Sequence, residues 1–288
     1  MPNQVTKNQH FLPLAYLRGF CTGPKRKESI WRTDQFASKR KLAKCECAPP
    51  FHYSRKDPNS AERFFNPYEN WYGLWREKIR EKENPVKPLE LYKLFASIIS
   101  LHLRNPAYEN KTGQEAIHSY RLLEVNFLRR LIHLEEARTP TQEEIYRHLG
   151  KHWVVKVLGT TSGRELVTSD SPAHFYVINA NDPPVLLTLP VTPHACAIAY
   201  DTTFLGSPQG MSGPDVSHLN ACQAAYCLHA VYTKEEGSLR EVTAIQELLA
   251  NRQRHPGFMG AKHWLPNTLQ YWDQFDFVRR APMSTKVF

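Results

Sequence analysis

Side chains able to move protons or hold anions are spread along this chain rather than gathered into one motif. His10 stands beside Asn8 and Gln9, with Tyr16 shortly after. Its imidazole titrates near neutral pH, which suits a general base or a metal ligand. The competing role is a histidine whose ring nitrogens are satisfied internally and which anchors the N-terminus. Glu69 and Glu77 fall on one predicted helix, roughly 80° out of register, so both can border one cavity or pair with Arg76 and Arg80 at the surface. Arg104 closes an apolar helix and needs a partner or an anion if buried. Ser169-Asp170-Ser171-Pro172 puts a carboxylate at the end of a predicted strand, a place for a reactive group and equally for an Asx turn. Asn220 lies among small residues and can cap or cross-link buried backbone.

Taken together, His10, Glu69, Glu77 and Asp170 form a candidate catalytic set. His10, Glu77 and Asp170 could hold a hard divalent cation, Mg²⁺ or Mn²⁺, and activate water. Arg104 could neutralise a phosphoryl oxygen, with Ser169, Asn220 and Tyr16 also placed against substrate. No established catalytic template accompanies them: there is no Walker loop, Gly-x-Ser-x-Gly elbow, His-Glu-x-x-His or Cys-x-x-Cys. Cys45-x-Cys47 near His52 has the wrong spacing for common zinc fingers and lacks a second pair.

The formal charge of +9 is uneven. Residues 1–56 hold twelve Lys/Arg and three Asp/Glu, and the remaining 25 basic and 25 acidic groups cancel. The runs Lys25-Arg26-Lys27 and Lys39-Arg40-Lys41 straddle an expected short hairpin. Such a field attracts phosphates or an acidic surface, unless it is simply a solvated basic loop.

The elements that position these groups follow from periodicity. Residues 1–56 read as a basic segment in which Ser29-Ile30-Trp31-Arg32 forms a strand and Phe36 to Ala43 returns beside it. Residues 68–150 read as a helical layer. Tyr68 to Glu83 repeats Trp71, Leu74, Trp75 and Ile79 at three- and four-residue steps, and Leu89 to Leu103 is apolar nearly all round. Gln114 to Ala137 and a short helix opened by Thr141-Gln142-Glu143-Glu144 complete the layer. Residues 152–200 read as sheet, with a hairpin of Trp153–Leu158 and Glu165–Thr168, then strands at Phe175–Ile178, Val185–Leu189 and Ala195–Tyr200. Residues 215–288 read as helices, Asp215 to Tyr232 and Arg240 to Arg252, followed by an aromatic tail. Helices followed by strands predict an α+β fold, with a helical N-terminal half packed on a largely antiparallel sheet and further C-terminal helices.

The opening stretch Lys7-x-x-His10-Phe11-Leu12-Pro13-x-x-Tyr16-Leu17-Arg18-x-Phe20 resembles the signature of the bacterial domain of unknown function 4238 family. Matching positions follow in order: Ile30-Trp31, His52-Tyr53, Glu69 and Glu77, Arg104-Asn105-Pro106, Val167 to Pro172, Leu189 to Pro193, Leu219-Asn220 and Ala225-Tyr226. The resemblance covers most of residues 7–232 and implies no activity, because the family's name records none. Its positions fall in both halves of the chain, which implies a single interwoven domain over 1–288 and convergence of the polar set on one site.

Two functions are therefore expected. One is a metal-assisted phosphodiesterase or nuclease of toxin or anti-phage type. The other is a non-catalytic module for nucleic acid or an acidic protein, with affinity in Lys25, Arg26, Lys39 and Arg40 and the buried polar set serving only folding. No stretch approaches eighteen uninterrupted apolar residues, so no membrane partner is expected. Six scattered cysteines without a secretory signal point to reduced thiols and a cytoplasmic location. Residues 8–20 are expected to lie against the body, with Phe11, Leu17 and Phe20 buried. His10 is then within reach of Asp170, Asn220 or Glu69.

Overall fold

Between Ser29 and Leu42 the β-prone Ile30-Trp31 stretch is followed by the four-residue turn Asp34–Ala37, and the chain folds back on itself. Strand β1 (Ser29–Thr33) pairs antiparallel with β2 (Ser38–Leu42), Trp31 facing Arg40 across the ladder. The computed structural model describes residues 12–25, 27–47, 68–72, 93, 96–98, 100–101, 153–177, 184–203, 206–238, 246–247 and 250. Within them the architecture is mixed helix and antiparallel sheet, an α+β fold.

The strands form two sheets where one was expected. The first has the order β2-β1-β8-β4, in which β4 is Thr168–Ser169 and β8 is Val231–Thr233. The second has the order β3-β7-β6-β5, built from Trp153–Gly159, Ala195–Asp201, Pro184–Thr192 and His174–Val177. The expected hairpin of 153–158 with 165–168 does not form. β3 pairs with β7 instead, and β4 joins β8 in the other sheet. The cause lies in the segment between them. Thr160 donates its amide to His194, Thr161 to Met211 and Leu166 to Pro193, so the chain is drawn across to the β6–β7 turn rather than back along β3.

β7 shows why the second sheet is covered on both faces. Its sequence alternates small and large residues, and all six from Ala195 to Tyr200 are buried. Ala195, Ala197 and Ala199 join the main core with Leu187, Leu189, Val155 and the N-terminal residues Leu12, Tyr16, Leu17 and Phe20. Cys196, Ile198 and Tyr200 join a second core with Val216 and Leu219. A strand buried on both faces reads as a nearly continuous apolar run.

The N-terminal segment packs as expected in its described part. Helix α1 (Leu14–Leu17) and the 3₁₀ turn Arg18–Phe20 bury Tyr16, Leu17 and Phe20. Phe11 and His10 lie outside the described residues. Gly19 is where the backbones meet most closely, because a Cβ there would collide with the Val191 carbonyl oxygen. Val191 sits at a register shift in β6, between Pro190 and Thr192. Pro190 has no amide to give the ladder, which suits such a position.

The helix expected from Asp215 to Tyr232 is shorter. Helix α2 spans Gly213–Tyr226, opened by a reciprocal cap between Ser212 and Asp215. It stops because the Asp170 carboxylate takes the amides of Leu228, His229 and Ala230, and the β-rich Val231-Tyr232-Thr233 then enters the first sheet. Residues 68–72, 93, 96–98 and 100–101 are helical and lie within the two helices expected there; 246–247 and 250 are helical within 240–252. The expected helices 114–137 and 141–150, and the aromatic tail, lie outside the described residues.

Candidate functional site

Four of the polar residues singled out in the sequence, Tyr16, Ser169, Asp170 and Asn220, meet along residues 165–172, and each is hydrogen-bonded there or to the strands beside them. Asn220, on α2, accepts from the Val167 amide at 2.9 Å and donates to the Glu165 carbonyl at 2.9 Å. One turn further, Gln223 donates to the Pro172 carbonyl at 2.9 Å and accepts from the Ser169 hydroxyl at 2.7 Å. Residues three apart share a helix face, so the two amides fasten α2 to β4 and its flanks.

Asp170 is buried. Oδ1 accepts from Leu228 at 2.7 Å, and Oδ2 accepts from His229 at 2.7 Å and Ala230 at 3.3 Å. Burial pushes its carboxyl above the usual carboxylate range, while the His229 charge and the three amides pull the other way. Tyr16 is equally enclosed. Its hydroxyl donates to the Pro190 carbonyl at 2.6 Å and lies 2.6 Å from Thr168 Oγ1, which must then be the donor of that second bond. Burial pushes its phenol well above the ordinary tyrosine value.

A second network lies beneath β1 and β8. Arg32 is paired with Asp34 and, at 3.1 Å, with Glu46. Tyr232 donates to Glu46 at 3.2 Å, and Cys47 Sγ lies 3.1 Å from the Tyr232 oxygen. Burial, with Asp170 adding to it, pushes the Cys47 thiol well up, so it stays protonated and is a weak nucleophile. Cys45 is exposed while Cys47 turns inward at φ 54°, which separates the two thiols.

The basic residues occupy the opposite edge of the first sheet from Asp170, three strand spacings or roughly 14 Å away. Lys39, Arg40 and Lys41 lie within β2 itself; they do not flank the hairpin. β2 is the edge strand of this sheet among the described residues. Lys25, Lys27, Lys39, Arg40 and Lys44 are exposed and Lys41 is half-buried. Arg40 is held by the Ser29 and Thr22 hydroxyls at 2.7 and 3.0 Å. At the hairpin tip, Asp34 Oδ1 accepts from the amides of Phe36 and Ala37 at 2.8 and 2.9 Å, and the Asp34 amide donates to Ala37. That locked turn presents Phe36 at 83% exposure.

The structure thus brings Tyr16, Ser169, Asp170 and Asn220 to one buried strand and its neighbours, and it sets Lys25, Lys39 and Arg40 apart from them. Glu69 is half-buried in the helical residues 68–72 beside the buried Tyr68. His10, Arg26, Glu77 and Arg104 lie outside the described residues. No group of three His, Cys, Asp or Glu side chains suited to a metal ion occurs among the described residues. Sequence reasoning missed Gln223, Thr168, Glu46, Tyr232 and Phe36. Gln223 was findable from its spacing to Asn220, and Phe36 as a lone aromatic in the four-residue turn between two strands.

No curated protein and no solved structure matches this chain. One family model does, and it runs from residue 8 to residue 237, from the N-terminal segment packed on β6 past the end of β8. That span takes in both sheets, α2 and both polar networks, so the chain belongs to the family described as Protein of unknown function (DUF4238).

Proposed function

We propose that the chain is a binding module for nucleic acid and that it grips the phosphate backbone along the β1–β2 edge. One observation carries this reading. The carboxylates within residues 12–47 are Glu28, Asp34 and Glu46, and all are taken up by Arg18 and Arg32. Among the described residues, no carboxylate pairs with Lys25, Lys27, Lys39, Arg40, Lys41 or Lys44. Six cations left over on one hairpin and its surroundings form a polyanion-seeking surface.

Metal-assisted cleavage rests on His10, Glu77 and Asp170. Of these only Asp170 is described, and both of its oxygens are already engaged by backbone amides, which favours binding over chemistry there. The test is titration of labelled RNA and DNA with the full chain at several salt concentrations, with and without Mg²⁺ or Mn²⁺. Replacing Lys25, Lys39 and Lys44 by Glu is expected to weaken binding and to lower the log–log salt slope by about 0.7–0.9 per lost phosphate contact. Affinity and slope unchanged in that variant would refute the reading. Divalent-dependent loss of full-length nucleic acid would restore the cleavage alternative.

A further inference from the structure

Phe36 has no role in the core, and phosphate binding gives it none. It stands 83% exposed on a turn whose backbone is pinned by three hydrogen bonds around Asp34. A large exposed apolar side chain on a rigid tip is a cost that folding does not explain, since the hairpin ladder and the Asp34 bonds would survive its removal. Cations follow it in the chain. Lys39 and Arg40 come next on β2, pointing to opposite faces of the strand, and Arg40 faces Trp31 directly across the ladder. Residues opposite each other in a ladder share a face, so the half-buried Trp31 and the anchored Arg40 lie side by side.

Rings set among cations match one kind of polyanion better than others. A duplex satisfies the cations but keeps its base faces stacked inside, out of reach of Phe36. A single strand presents phosphates and open base faces together, and base–aromatic stacking tolerates any sequence. An acidic protein surface would meet the charge and leave the ring in water. We infer that the β1–β2 hairpin binds unpaired nucleic acid, with Phe36 stacking on a base and Arg40, on the Trp31 face, meeting a flanking phosphate. This inference rests on the phosphate-binding reading above and specifies its ligand.

The experiment uses the full chain and fluorescence anisotropy with three probes of about twelve nucleotides: a single strand, the duplex of the same sequence, and an abasic strand carrying phosphates without bases. The single strand is expected to bind tightest. Phe36→Ala, an exposed position whose loss leaves the fold intact, should lose about tenfold on the base-bearing strand and nothing on the abasic one. Phe36→Trp, which keeps a ring, should retain affinity. Wild-type affinity in Phe36→Ala overturns the stacking inference, and so does equal binding of duplex and single strand. If the Lys25, Lys39 and Lys44 replacements still weaken binding in that case, the phosphate-binding reading stands without it. If no probe binds, both fall.

Discussion

The Tyr16 hydroxyl lies 2.6 Å from Thr168 Oγ1 in the first sheet and donates to the Pro190 carbonyl in the second, also at 2.6 Å. One phenol oxygen therefore ties two sheets that share no strand pairing. The tie comes from a segment that sequence reasoning had identified as packing inward, and it accounts for a buried tyrosine there. Tyr16 also makes an edge contact with Tyr72, at 5.8 Å between ring centroids, so the same ring reaches the helical residues 68–72.

Removing only that oxygen isolates its contribution. Tyr16→Phe leaves the Thr168 hydroxyl and the Pro190 carbonyl buried without it, and each such loss costs about 1–3 kcal/mol. Urea unfolding is expected to show a lower midpoint at unchanged slope. A midpoint equal to that of the wild-type protein would mean that the bond adds nothing.

Asp170 separates a structural carboxylate from a reactive one. Asp170→Ala takes the acceptor from three backbone amides and is expected to destabilise the protein by about 3 kcal/mol or more. Asp170→Asn keeps one acceptor oxygen and should lie between the two. Thermal melts of the three proteins decide the matter. A variant that melts like wild type but has lost a cleavage activity would reassign Asp170 to chemistry.

His174 gives the fold an acid-sensitive element. Its ring is buried, with Nε2 3.1 Å from the Ser171 carbonyl, and burial lowers its pKa from 6.5 to about 4, helped by the His218 charge and opposed by the Ser171 bond. Above pH 6.5 neither folded nor unfolded chain carries this proton. Between 6.5 and about 4 the unfolded chain takes it up and the folded one does not, so stability falls as the pH drops through that window. The whole effect is about 3 kcal/mol. His174→Gln is expected to flatten this part of the profile, read from urea midpoints at neutral and mildly acid pH. A profile as steep as wild type would place the acid sensitivity elsewhere.

Local signals in the sequence marked most of the described elements, and long-range pairing escaped them. The β1–β2 hairpin was legible because the β-prone Ser29-Ile30-Trp31-Arg32 is followed, after a short turn, by a stretch long enough to return beside it. β6 and β7 were legible as apolar runs. The partners of β3 and β4 were not, because two short strands close in sequence look like a hairpin until the bonds of Thr160, Thr161 and Leu166 draw the chain away. The end of α2 was hidden for a related reason. Nothing local in Leu228-His229-Ala230 announces a carboxylate from 58 to 60 residues earlier. At the candidate site, residue types were legible but not their partners: nothing local tells that Ser169 meets Gln223, that Asp170 meets the 228–230 amides or that Asn220 meets the backbone of 165–167.

The strand order of the first sheet also sets a timetable. β8 lies between β1 and β4, yet it is made last of the four, and about 190 residues separate the end of β2 from its start. At a synthesis rate of roughly 5–20 residues per second, the nascent β1–β2 hairpin waits on the order of ten to forty seconds for its central neighbour. Throughout that interval β1 offers an open ladder edge to any passing chain, the usual route to strand-exchange aggregation. The lysines and arginines crowded beside it repel other copies of the same positively charged nascent segment. The basic surface thus serves as a guard during manufacture.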